Sequence, residues 1–298
     1  MDSQLRLRIQ IPRVRDLFEL GRISNLPTCL SNCTVGYLLG GGDLVTAWSQ
    51  WLASCFAVVC FYEAGMVFND FFDREIDSRD RPERPIPSGR VSPAQAQCLG
   101  LLLMGVGGIA VLTFFPQGWV FATLLVIFIL IYDRWHGISD ASALLMGACR
   151  GLIYLLGACA AGWNPSFTPW LKFPLEMMMY VSALTWLSQS EVGPSLFFTR
   201  KFAPFLSGLI WFVDFTSWTQ GGFLAKFSLS LALAWTFLVG SRLVMEEISV
   251  KQAVGNLLAA ISLWDGAILA SCSNRFGVGI AWLCFWVTQK GHRKIQGS

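Results

Sequence analysis

Asn69, Asp73 and Asp77 stand four residues apart, so a helix running through them carries an amide and two carboxylates on one face, one turn apart. Such a ladder of oxygen ligands suits a hard cation such as Mg2+, which takes one or two carboxylates and completes its shell with water and substrate phosphate. Arg79, Arg81, Arg84 and Arg90 follow at once, interleaved with Pro82, Pro85 and Pro87. Proline ends the helix and stiffens the chain beyond it, so these arginines sit on a loop able to fold back over the ladder. Their guanidinium forks match phosphate oxygens. At a membrane edge the pair of features would hold a diphosphate head while an attached tail stays in the apolar interior. The competing reading is a solvated loop whose six carboxylates and five arginines, all within residues 69–92, neutralise one another. The regular spacing, the helix-then-proline order and the apolar neighbours weigh against it.

The elements that must position this stretch are membrane helices. The 298-residue chain is 54% hydrophobic and 14% charged, against about 25% charged in a soluble domain. Ten apolar segments are expected, at 23–40, 45–68, 94–115, 118–132, 141–161, 175–190, 204–218, 222–241, 253–272 and 276–289, the last being the weakest. This gives an all-α fold, a polytopic bundle of about nine transmembrane helices in one domain spanning 1–298. A cytoplasmic N-tail (1–22), a motif loop (69–93) and a C-tail (290–298) flank or interrupt it. Eighteen lysines and arginines fall on the side of the N-terminus and two, Lys172 and Arg275, on the other, which places the N-terminus and the motif loop in the cytoplasm. The basic residues form no continuous patch, so nucleic acid is excluded as a partner and the lipid bilayer is the expected one. Nine dispersed cysteines without a CxxC pair read as small buried apolar residues, and two histidines rule out a histidine-rich metal site. The N-terminus has no secretory cleavage pattern, so the first apolar segment reads as a retained helix.

The motif N-D-F-F-D-R-E-I-D followed by R-P-E-R-P-I-P-S-G-R resembles the first aspartate-rich motif of the UbiA superfamily of intramembrane prenyltransferases, in position as well as in order. The resemblance covers residues 22–272. It implies a helical bundle around a lipid-open cavity that binds a polyprenyl diphosphate through Mg2+, ionises the allylic C–O bond and lets an acceptor attack the carbocation. Asn69, Asp73 and Asp77 would hold the metal, and Arg81 and Arg84 would neutralise charge on the leaving group. The second aspartate-rich loop of that family has no counterpart here: the region reads LTWLSQSEVGPSLFFTRKF, in which Glu191 is the one carboxylate. Glu191 alone would serve the second metal position, or a single Mg2+ would bind less tightly, or the diphosphate chemistry would differ. The pattern Tyr132-Asp133 followed by M-G-A-C-R resembles a less studied bacterial branch of the superfamily, which would place the chain in a bacterial inner membrane.

Tyr132 and Asp133 sit at a helix end beside the motif side, and Arg150 falls within a span. An arginine inside the membrane is expensive and needs a partner: either it faces the cavity and contacts diphosphate or acceptor, or it makes an ion pair with Asp140 or Glu63. Asn25, beside Arg22, is the polar residue of the first helix best placed to line the head-group site. Asp265, near mid-membrane, is either a cavity residue or a helix-packing partner. The expected activity is prenyl transfer, with catalytic roles for Asp73, Asp77, Glu191 and Arg150. A membrane terpene cyclase and a non-catalytic diphosphate-binding or transport protein are the alternatives. The acceptor, aromatic or a small polar molecule, is not specified by any residue pattern.

Overall fold

The computed structural model describes residues 14–135, 141–163, 169–189 and 222–294, and these are helical with no strand among them. The helices are α1 (Val14–Leu20), α2 (Leu26–Leu39), α3 (Trp48–Phe72), α4 (Arg74–Asp80), α5 (Pro93–Phe114), α6 (Trp119–Trp135), α7 (Ser142–Ala160), α8 (Lys172–Gln189), α9 (Phe223–Val244), α10 (Val250–Ser271) and α11 (Arg275–Lys294). Among the described residues six helical spans are long and apolar enough to cross a bilayer. Each described segment expected from the sequence is a helix, with ends shifted by a few residues, and the weakest of them became the 20-residue α11. The expected segment 204–218 lies outside the described residues. The chain is a multi-pass integral membrane protein.

Local chemistry fixes the helix ends. Ser92 and Gln95 form a capping box ahead of α5, with Pro93 at the first helical position, and Ser249 and Gln252 repeat the device at α10. The turn between α2 and α3 is closed by Asp43, which accepts from the Val45 amide at 2.8 Å and the Thr46 hydroxyl at 2.7 Å. Those two donors lower the Asp43 carboxyl below its ordinary value.

Two cores flank the middle of the bundle. One surrounds α2, α3, α6 and α7, with Tyr37, Phe61 and Leu156 fully buried; the other surrounds α8, α9 and α10 and centres on Trp264. Small residues let α2 and α7 touch backbone to backbone. A Cβ on Gly36 would lie 2.0 Å from the Tyr154 carbonyl oxygen, and one on Gly157 would lie 2.2 Å from that of Cys33. That contact brings Asn32, one turn before Gly36, against Arg150 and Tyr154 on α7. All nine cysteines are free thiols; six are buried as expected, Cys284 is half-buried, and Cys98 and Cys272 are exposed.

Candidate active site

The motif residues occupy the end of α3 and the start of α4, and the expected ladder is present in the backbone. The amide of Asp73 donates to the carbonyl of Asn69 at 3.0 Å, that of Asp77 to Asp73 at 2.8 Å and that of Arg81 to Asp77 at 2.8 Å. These residues therefore lie one above another on a single face, despite the slight break at Asp73. Asn69 is 7% exposed, and Asp70 and Asp77 are each 4% exposed. Buried carboxylates require charged or hydrogen-bonding partners.

Arginines supply them. Arg84 Nη1 reaches Asp77 Oδ2 at 2.7 Å and Asp70 Oδ1 at 3.2 Å. Arg22 Nη2 donates to Asn69 Oδ1 and to Asp70 Oδ1, both at 3.1 Å. Asn69 Nδ2 donates to Asp133 Oδ1 at 3.3 Å, which ties the motif to the end of α6. The proline-stiffened loop does fold back over the ladder, but Arg84 clamps its carboxylates and Arg81 stays exposed. Arg90 turns the other way. It binds Asp16, Glu19 (2.9 and 3.0 Å) and the Glu83 carbonyl, fastening α1 to the motif loop. The Glu19 and Asp16 carboxylates hold its guanidinium above the ordinary arginine range.

Below the ladder lies a cavity of about 320 Å3, walled by α3, α6, α7, α8 and α10 and by the segment 22–29. Its sides are apolar, including Val58, Phe61, Leu125, Ile129, Ile153 and Leu184, while Arg22, Tyr132, Asp133 and Arg150 also line it. Asn25 lines it too, held by an Oδ1 contact of 2.6 Å to His292 Nε2 at the end of α11. The cavity thus joins a charged mouth, where Asn69 hydrogen-bonds both Arg22 and Asp133, to an interior fit for a hydrocarbon chain.

The sequence profile of the UbiA prenyltransferase family matches residues 29–191. The chain belongs to that family. Among its relatives, the digeranylgeranylglyceryl phosphate synthase of Methanopyrus kandleri is 34% identical over 163 residues, 53% of this chain and 57% of that protein. The synthase of the same name from Methanothrix thermoacetophila is 32% identical over 178 residues, 59% of this chain and 63% of the relative. Each match spans less than two thirds of the relative's length. Among solved structures, one described in terms of digeranylgeranylglyceryl phosphate synthase superposes with a TM-score of 0.60 at 17% identity, covering 89% of this chain and 99% of the other. A UbiA homolog from Archaeoglobus fulgidus bound to GPP and Mg2+ gives a TM-score of 0.61 at 11% identity, over 87% of this chain and 99% of that one. At such identities the likeness establishes the UbiA fold and no more.

Tyr132, Asp133, Asn25 and Arg150 thus line one cavity; Asn69 adjoins it through hydrogen bonds to Arg22 and Asp133, and Asp77 and Arg84 adjoin Asn69 through Asp70, with Asp73 on the ladder between. Glu191 lies outside the described residues. The ladder offers amide and carboxylate oxygens, the donor set of a hard cation. Among the described residues no three histidine, cysteine or acidic side chains converge on a common point, and Arg22 and Arg84 are paired with Asp70 and Asp77. Sequence reading passed over Asp70 and Arg22. Asp70 was visible as the second residue of the motif. Arg22 was not, because it reaches the site across 48 residues, from a backbone bent left-handed at φ 44°.

Arg150 is 7% exposed and makes no ion pair among the described residues. Glu63 is not its partner, and Asp140 lies outside the described residues. Arg150 Nη1 donates to Thr28 Oγ1 at 3.0 Å and Asn32 Oδ1 at 3.2 Å. Asp265 does not line the cavity. It is fully buried, accepting from Asn32 Nδ2 at 2.8 Å and from the hydroxyls of Ser31 and Tyr154.

Proposed function

We propose that this chain is an intramembrane prenyltransferase that moves a polyprenyl group from a polyprenyl diphosphate to an acceptor, with Mg2+ as cofactor. The carrying observation is the oxygen ladder of Asn69, Asp73 and Asp77, joined by Asp70, at the mouth of an apolar cavity. Mg2+, when bound, neutralises diphosphate charge and so improves the leaving group. The donors for it would be Asn69, Asp70, Asp73 and Asp77, with Glu191 as the candidate from the sequence for the second aspartate-rich position.

Arg22 and Arg84 each hold motif carboxylates through a single nitrogen, Nη2 and Nη1. Their remaining N–H groups are the ones we assign to diphosphate oxygens, where negative charge grows as the allylic C–O bond breaks and its electron pair leaves with the diphosphate. The apolar wall would keep water from the allylic cation, and Phe61, Tyr62 and Tyr132 line the same space as the aromatic residues able to stabilise it. An acceptor lone pair or ring π bond then forms the new bond, and the acceptor loses a proton to solvent. The matched relatives bear the name of an enzyme making a glyceryl phosphate lipid, and this supports an acceptor of that class. They are archaeal and lend no support to a bacterial inner membrane. The lysine and arginine bias supports a cytoplasmic ladder.

The test is pyrophosphate release by purified protein in lipid nanodiscs, given Mg2+, geranylgeranyl diphosphate and a panel of glyceryl phosphate and aromatic acceptors. Acceptor-dependent release abolished by EDTA is the expected result. Product formed without any acceptor would replace the proposal with a cyclase, and tight diphosphate binding without turnover would replace it with a binding protein.

A further inference from the structure

Two positively charged regions face the cavity, and they differ in how much of their hydrogen-bonding capacity is already committed. At the mouth, Arg22 and Arg84 are ion-paired with motif carboxylates. In the wall, Arg150 touches no carboxylate among the described residues, and only its Nη1 is hydrogen-bonded. A guanidinium has five N–H donors, so most of the Arg150 fork is uncommitted. Residue 150 is the ninth of α7, roughly 12 Å along the helix from its start, well inside the bundle.

We propose that Arg150 forms an anion subsite, separate from the oxygen ladder, which takes the negatively charged head of the acceptor, a phosphate monoester or a carboxylate, and that Asp265 is its positioning residue. The proposal rests on the prenyltransferase reading for the word acceptor; the subsite itself rests on the geometry of α2, α7 and α10. Asp265 receives three donors, from Ser31 and Asn32 on Oδ2 and from Tyr154 on Oδ1, and so is held in place on both oxygens. Asn32 stands between the two charges. Its amide nitrogen faces Asp265 and its oxygen faces Arg150, the one orientation that satisfies an acceptor on one side and a donor on the other. A direct Arg150–Asp265 pair would take up the fork. The interposed amide lets Asp265 offset the buried positive charge while leaving guanidinium N–H groups for a ligand.

Charge also sorts the ligands between the two places. The mouth holds the carboxylates of Asp70, Asp73, Asp77 and Asp133, which repel an anionic head unless a cation intervenes. Arg150 attracts one directly, and Asn25, Thr185 and Ser188 line the same cavity as further polar partners. An acceptor anchored there presents its nucleophile within the chamber that also receives the prenyl chain.

The full chain in nanodiscs is titrated with geranylgeranylglyceryl phosphate, with its neutral alcohol and with 4-hydroxybenzoate, in the absence of Mg2+ and prenyl diphosphate. One of the two anions is expected to bind about tenfold or more tighter than its uncharged counterpart, phenol serving for the benzoate. Preference for the first assigns a phosphate monoester, and preference for the second an aromatic carboxylate. Arg150→Gln is expected to erase the preference while a non-hydrolysable thiolodiphosphate with Mg2+ binds within about twofold of wild type. Arg150→Lys keeps the charge without the fork and weakens anion binding about threefold or more; it decides the matter should Arg150→Gln not fold. In steady state Asp265→Asn raises the acceptor KM about fivefold and leaves the KM for prenyl diphosphate unchanged, a split that general loosening of the bundle would not produce. Equal binding of anion and neutral ligand, or a preference intact in the Arg150 variants, overturns the subsite. Failure of wild type to bind the thiolodiphosphate overturns the prenyltransferase reading instead and leaves the anion titration to stand by itself.

Discussion

The ladder at the end of α3 and the polar network behind Arg150 are both buried assemblies of charge, yet they are built in opposite ways. The ladder is local: Asn69, Asp70, Asp73 and Asp77 lie within nine residues, and backbone hydrogen bonds align three of them. The network is assembled from afar, with Asn32, Arg150 and Asp265 on three helices and 233 residues between the ends of one hydrogen bond. The ladder sits at the mouth, where its acids are reached by arginines on long side chains. The network sits where helix backbones touch, and its geometry is the geometry of the packing. Substitutions in the ladder should therefore fall on turnover and spare stability, whereas substitutions in the network should fall on stability together with acceptor binding.

The largest effect separates them most sharply. Asp73→Asn is expected to lower pyrophosphate release by about 10²–10³-fold, as losses of transition-state charge stabilisation do, with the thermal midpoint of the purified protein nearly unchanged. Asp265→Leu should act first on stability. It strands three donors and an uncompensated Arg150, for a loss of about 3–5 kcal/mol read as a fall in unfolding midpoint in detergent titrations. Gly157→Val probes the packing beneath the network: a side chain there meets the Cys33 carbonyl, and the helix shift it forces should destabilise by about 1–3 kcal/mol. Arg90→Ala, which frees α1 from the motif loop, should remove about 1 kcal/mol and increase protease cleavage near residue 20. Leu102→Ala, on the exposed face of α5, serves as the baseline, with a change within about 0.5 kcal/mol. A ladder variant that unfolds the protein, or an Asp265 variant with unchanged stability, would erase the contrast.

The same difference governs what could be read from the sequence. Helices were legible because a bilayer demands long apolar runs, and the ladder was legible because its spacing matches the helical period. Arg84 was legible as a loop arginine but not as a clamp on Asp70 and Asp77, since its target is chosen by how Pro82, Pro85 and Pro87 turn the chain. Asp265 stood out as a charge in an apolar run, and its two readings could not be separated because its partners are Ser31, Asn32 and Tyr154, ordinary polar residues of two other helices. His292 gave no signal for its contact with Asn25, which depends on α11 returning to the turn just ahead of α2.

The apolar window of α10 is 78% buried within the protein, whereas that of the Pro116–Trp135 span is 22% buried. Composition makes the two alike, but lipid is the solvent of one and protein that of the other. A helix bathed in lipid follows the thickness of its bilayer by tilting, at a fraction of a kcal/mol per Å. α10, gripped on most sides, does not have that freedom. The bundle thus pairs a stiff mast with a compliant wall, so a thinner or thicker membrane would reshape the α6 side of the chamber while Asp265 and its partners keep their places.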